Sequence, residues 1–171
     1  MRTTAARGAA AGAVGVLAMD VVTWAMYRRE SRLDLLREKR ARRYGKDTAH
    51  AMVRRLTRAA GSRAGATEPN AAGIAVHYGL GMGPGLLYAH QRHQHPWLRA
   101  GSGALYGLLL SIVNDEIAAP LLRVAGPPGA YPVKAHVRGL VGHLVLGMAT
   151  EAALNAIDDR KAAQPAGDTA E

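Results

Sequence analysis

Cysteine is absent from the 171 residues, which removes disulfide frameworks, zinc–thiolate centres and thiol nucleophiles together. Phenylalanine is absent too, while glycine reaches 20. Soluble cores draw buried volume from Leu, Ile, Val and Phe, so this composition suits one poorly. Reaction motifs are also missing. No Gly-x-Ser-x-Gly elbow is present, and neither Ser102 nor Ser111 has a local base. Gly79-x-Gly81-x-Gly83 runs into Pro84 and follows no strand pattern, which argues against a dinucleotide or phosphate loop. No His-Glu-x-x-His or comparable ligand motif occurs, so a metal is left unknown. No cofactor is expected and no catalytic residue is assigned. The His90, His93 and His95 run, HQRHQHP, could hold a metal weakly, but a solvated loop is the preferred reading.

Acidic charge is scarce: 13 Asp and Glu stand against 22 Lys and Arg, for a net charge of +9. Thirteen of the basic residues lie between Arg28 and Arg63, and elsewhere charge is thin. A balance this basic fits a nucleic-acid partner or the cytoplasmic flanks of membrane helices. The basic block directly follows an apolar segment of spanning length, and no zinc finger, RNA-recognition signature or basic region with heptads accompanies it. The membrane reading is therefore preferred and no nucleic acid is expected.

Four segments carry that reading: 8–27, 71–89, 100–122 and 133–157. The first has a single charge, Asp20, in twenty residues, and twenty helical residues rise about 30 Å, the thickness of a hydrocarbon core. Asp20 and the lack of a small-x-small cleavage site argue against a secretory signal. The second contains Pro84 and five glycines, tolerable in a bilayer where neighbouring helices re-satisfy the backbone. The second to fourth fall short of a strict run of 18 or more uncharged apolar residues. Their joint pattern, with Trp24, Tyr27, Tyr88, Trp97 and Tyr131 at segment ends, is what counts. Together they predict an all-α, polytopic membrane helical bundle over residues 1–160: four transmembrane helices, a basic amphipathic helical insert at 28–69, and a disordered tail at 161–171. Within the insert, Asp47 or Thr48 can cap a helix that Gly61 closes. Met52, Val53, Leu56, Ala59 and Ala60 share one face, suited to anionic headgroups or to a solvated position. Gly126-Pro127-Pro128-Gly129 ends the third segment.

Small residues spaced by four mark faces where membrane helices approach. Gly73, His77, Gly81 and Gly85 form one such stripe, and Gly103, Gly107, Ser111 and Asp115 another. Gly12, Val16 and Asp20 align similarly, as do His136, His143 and Thr150, with Glu151 adjoining. Each helix thus directs a titratable group along its packing face. A charge inside a bilayer costs a few kcal/mol and needs a partner or water. Asp20, His77, Asp115, Glu116, His143 and Glu151 are therefore the candidate polar interior site, or residues that pair only to fix the packing. His143 and Glu151 are eight residues apart, hence about 80° and about 12 Å apart on an ideal helix, too far for direct contact. Both should face the interior, near Asp20, His77 or Asp115.

In Gly142-His143-Leu144-Val145 followed by Glu151, with Gly-rich segments ahead and a Pro-containing turn before the last helix, the chain resembles the YagU-like family of bacterial inner-membrane proteins. The resemblance covers about half the chain and implies a multi-helix inner-membrane protein in which His143 and Glu151 are notable. It brings no substrate, and the basic insert departs from it.

Two functions fit: ion- or proton-linked transport or pH sensing through the buried groups, and a non-catalytic scaffold or partner-binding subunit, including a homo-oligomer through Gly-rich faces. An intramembrane metal enzyme and a soluble basic protein rank behind them. The Lys/Arg bias places 28–69 and 123–135 in the cytoplasm, which with Arg138 at the start of the last segment makes 16 basic residues against 6, with both termini outside.

Overall fold

The first apolar segment has no proline and winds into α1 (Arg2–Tyr27). The computed structural model describes residues 2–62, 67 and 69–163, and every regular element among them is helical. The basic insert forms two helices. In α2 (Arg32–Ala41), Ser31 caps the start by accepting from the Asp34 amide at 3.2 Å, and Lys39 and Arg40 sit in the last turn, where the helix dipole favours cations. Its polar sequence hides it from a search for apolar periodicity. In α3 (Thr48–Ala59), Asp47 caps the start by accepting from the His50 amide at 2.9 Å, and Gly61 follows the end at φ +70°. Asn70 caps α4 (Ala71–Gln91) by accepting from the Gly73 amide at 2.9 Å, and α4 continues through Pro84.

After a 3-10 turn at Pro96–Arg99 come α5 (Ala104–Ser111), a π-helical stretch (Ile112–Ala118) and α6 (Ala119–Leu121). In the π stretch the Ala119 amide reaches back five residues to the Asn114 carbonyl. The third segment is helical from 104 rather than 100, because Gly101, Ser102 and Gly103 all adopt positive φ. The last helix, α7 (Val133–Ala163), runs past 157. Of the expected tail, 161–163 are helical, and 164–171 lie outside the described residues.

Three stretches are long and apolar enough to cross a membrane: Thr4–Tyr27, Ala104–Leu121 and Val133–Arg160. Helix α4 is not among them, since His77, Pro84 and its glycines dilute its apolar character. It nonetheless packs along α1, as α7 does, while α5 packs on α7 and α3 on α4. Glycines make these contacts close. A Cβ on Gly12 would lie 2.5 Å from the Gly81 carbonyl oxygen, and one on Gly8 would lie 2.7 Å from that of Gly85. The pairings Gly8–Gly85 and Gly12–Gly81, Gly15–Thr150 and Thr23–Gly142, and Gly103–Gly147 and Gly107–His143 run in opposite order along the chain, so α1 with α4, α1 with α7 and α5 with α7 are antiparallel. Residues 28–62, 69–70 and 122–132 therefore gather at one end of the bundle, and 92–103 with the end of α7 gather at the other. Large apolar side chains such as Leu17, Trp24, Leu87, Ile117, Leu121 and Val137 face outward, where acyl chains rather than protein would cover them.

Candidate functional site

The α1, α3, α4 and α7 helices and the π stretch enclose a cavity of about 500 Å³ in the half of the bundle nearer the insert. A second cavity of about 330 Å³ adjoins it, sharing Asp20, Asp47, His77 and Asp115. Two imidazole–carboxylate pairs face the first. His77 Nε2 of α4 lies 2.8 Å from Asp20 Oδ1 of α1. Across the cavity, buried His143 of α7 sets Nδ1 3.1 Å from the Gly139 carbonyl oxygen and 3.3 Å from Asp115 Oδ2. Both neighbours of that nitrogen are acceptors, so Nδ1 carries a proton. A third pair borders the mouth: His50 Nε2 accepts from the Asn70 amide at 3.2 Å, which leaves the ring proton on Nδ1, 2.7 Å from Asp47 Oδ2. His50 lies against Gly73, so α3 is pinned over the start of α4 through this ring.

The second cavity holds Glu116, whose Oε1 is 3.2 Å from His136 Nδ1; the other ring nitrogen of His136 is 3.0 Å from the Pro128 carbonyl oxygen. The π stretch carries Asn114, Asp115 and Glu116 together. A four-residue spacing overshoots an α-helical turn by about 40° per step. The wider π winding takes some of that back and keeps Asp115 on the face of Gly107 and Ser111, opposite Gly139.

Five of the six candidate residues thus line the two cavities, and Glu151 does not. It sits toward the other end of α7, 2 % exposed, where Tyr88 Oη donates to it at 2.8 Å and Arg92 Nη1 and Arg99 Nε donate at 2.7 Å each. Arg92, also 2 % exposed, donates further to Asn155 at 2.9 Å and to Asp158 at 2.5 Å. The network ties α4, the 92–99 connector and α7 together, and Tyr88 stacks on Tyr106 of α5 at 4.1 Å. The spacing of Tyr88 on α4 and Arg92 just past its end, facing Glu151, Asn155 and Asp158 on α7, was available as a signal, but Arg92 and Arg99 read as loop charges.

A matching network lies at the insert end. Buried Arg138 donates to Glu30 and, at 2.6 Å, to Glu38, which also accepts from Arg42 at 2.7 Å. Burial pushes the Glu38 carboxyl up, but the hydrogen bonds from Arg138 and Arg42 outweigh it and hold the group below its ordinary 4.5. Lys134 donates to Asp34 at 2.8 Å, a second tie between α2 and α7. Among the described residues no group of three or more His, Asp and Glu side chains is arranged to hold a metal ion.

The fold and site define an all-helical protein with helices of membrane-spanning character around a polar interior. Residues 58–152 match a family described as a protein of unknown function (DUF1440), more than half of the chain, and the chain belongs to that family. The matched region takes in the end of α3, the whole of α4 and the π stretch, and α7 as far as Ala152. No curated protein and no solved structure matches the chain.

Proposed function

We propose that this is a four-span inner-membrane protein of the YagU-like kind whose polar cavity links proton binding to transport or to pH sensing. The observation that carries it is the placement of Asp20–His77 and His143–Asp115 on one cavity, drawn from α1, α4, the π stretch and α7. Imidazole is the side chain that gains or loses charge near neutral pH, and a carboxylate partner makes that change felt across a helix interface. Helix α4 is taken as the fourth span because it lies antiparallel along the α1 span from Gly85 against Gly8 to His77 against Asp20. The basic insert is placed on anionic headgroups at the cytoplasmic face. There α2 exposes Leu33 and Leu36 among Arg32, Arg37, Lys39 and Arg40, and the Arg28 guanidinium stands 4.6 Å from the centroid of the Trp24 ring. Most glycine stripes are consumed within the chain, so a homo-oligomer would have to use the open α4 face at Gly79 and Gly83.

The test is reconstitution into liposomes enclosing a pH-sensitive dye. Under an imposed pH gradient the wild type should dissipate it faster than empty liposomes, and Asp20→Asn and His143→Ala should each remove most of the difference. A wild type no faster than empty liposomes, with a thermal midpoint whose pH dependence His143→Ala leaves unchanged, would favour the scaffold reading.

A further inference from the structure

The larger cavity has a charge character opposite to that of the protein. In a chain of net charge +9, no Lys or Arg is found among the described residues lining it. Its titratable lining is Asp20 from α1, Asp47 and His50 from the start of α3, His77 from α4, Asp115 from the π stretch and His143 from α7, with Tyr78 beside His77. The adjoining cavity adds Glu38, Arg42, Lys46, Glu116, His136 and Arg138 on the insert side. Apart from Thr48 and Asn114, the remaining walls of the larger cavity are apolar, with Val16, Met19, Met52, Ile74, Leu80 and Leu122 among them. Its volume of about 500 Å³ is that of a small-molecule site.

These features select a ligand class. An anion in the larger cavity would meet carboxylates with no guanidinium or ammonium among the described residues of its own walls. A bare metal ion would need convergent ligands, and the described residues offer no such group. An organic cation with an apolar body satisfies both parts of the lining: its charge faces Asp20 and Asp115, its body takes the aliphatic walls, and the Tyr78 ring can add a cation–π contact.

We infer that the cavity binds an apolar organic cation in competition with protons, the cation and the His77 and His143 imidazolium groups being alternative partners for Asp20 and Asp115. This inference rests on the proton-linked reading and names the ligand class of that same site. With both rings neutral the two carboxylates lack their imidazolium partners and attract the cation. When the rings are protonated the cavity already holds its counter-charges, and the cation is displaced. The exchange couples movement of one positive species to the opposite movement of another, with no covalent step.

Tetraphenylphosphonium tests this because its charge does not titrate, so any pH dependence belongs to the protein; tetraphenylborate has the same shape and the opposite charge. Equilibrium dialysis of the full chain in micelles, corrected by protein-free micelles, should show tetraphenylphosphonium retained at about pH 8. Retention should be at least about tenfold weaker at about pH 5, across the histidine range. Tetraphenylborate should not be retained. Asp20→Asn and Asp115→Asn should each weaken binding about tenfold or more. Met52→Trp, which fills the cavity from α3 and leaves every carboxylate in place, should abolish it and serves if the Asn variants do not fold. Equal retention of the two probes, retention independent of pH, or retention unaffected by filling the cavity overturns the inference. Gradient dissipation without tetraphenylphosphonium binding overturns this inference alone, and loss of both overturns the proton-linked reading with it.

Discussion

At Glu151, removing one side chain strands several others. Arg92 is as deeply buried and has Glu151 and Asp158 as its acidic partners, so Glu151→Ala leaves a buried guanidinium short of half its compensation. Breaking a buried ion pair from one side costs more than the intact pair contributes, about 3 kcal/mol or more. Glu151→Ala should lower the thermal midpoint in detergent strongly, and Glu151→Gln less, because the amide oxygen can still accept from Tyr88 or Arg92. An unchanged midpoint in Glu151→Ala would mean that the network holds nothing. The Glu38 carboxyl at the other end makes stability sensitive to acid. Its folded pKa lies below its ordinary value, so its contribution is complete above about pH 4.5 and fades as pH falls through the lower folded value. Midpoints measured from about pH 6 down to about pH 3 should fall in the wild type, and less steeply in Glu38→Gln. Parallel curves would remove Glu38 as the acid-sensitive tie between α2 and α7.

The helices of this chain meet through glycine, and the positions are not equivalent. A Cβ at Gly107 would overlap the His143 carbonyl oxygen, so Gly107→Ala must push α5 off α7 and take Asp115 away from His143. Overpacking of this kind costs about 1–3 kcal/mol. Gly79 shares a helix with the buried Gly81, yet a methyl group added there would meet nothing within 4 Å. Gly79→Ala should therefore be neutral or stabilise by up to about 1 kcal/mol through helix propensity. Thermal midpoints of the two variants, ranked the other way, would contradict the packing. The four-residue stripes were legible in the sequence, and so was the capping of α3 by Asp47, because both follow from local spacing. Helix α2 was not, because six of its ten residues are charged and its leucines are too few to show a helical period. The π stretch was not, since nothing in Ile112–Ala118 dictates a five-residue hydrogen bond. The partners of Glu151 were missed for a third reason: spacing along α7 shows which way the side chain points, but not which connector folds back to meet it.

At the scale of the whole molecule, the status of α4 decides the topology. Three helices pass as spans by length and composition, and with three alone residues 28–103 would lie on one side of the membrane. If α4 crosses as well, residues 28–70 and 92–103 lie on opposite sides. The packing favours the crossing: α4 runs antiparallel beside α1 across most of the α1 span, and the two meet through glycines too close to admit a methyl group. The expected direction follows the Lys/Arg bias, under which the basic insert, with 13 of the 22 Lys and Arg of the sequence, would stay cytoplasmic. The absence of cysteine makes the test clean, since any introduced thiol is the only one. Lys39→Cys in α2 and Gln94→Cys in the connector are both exposed positions. A membrane-impermeant maleimide applied to intact spheroplasts should label Gln94→Cys at once and Lys39→Cys only after the membrane is opened. Labelling of both before opening, or of neither, would make α4 a helix that packs on α1 without crossing. Labelling of Lys39→Cys alone would keep four spans and invert them.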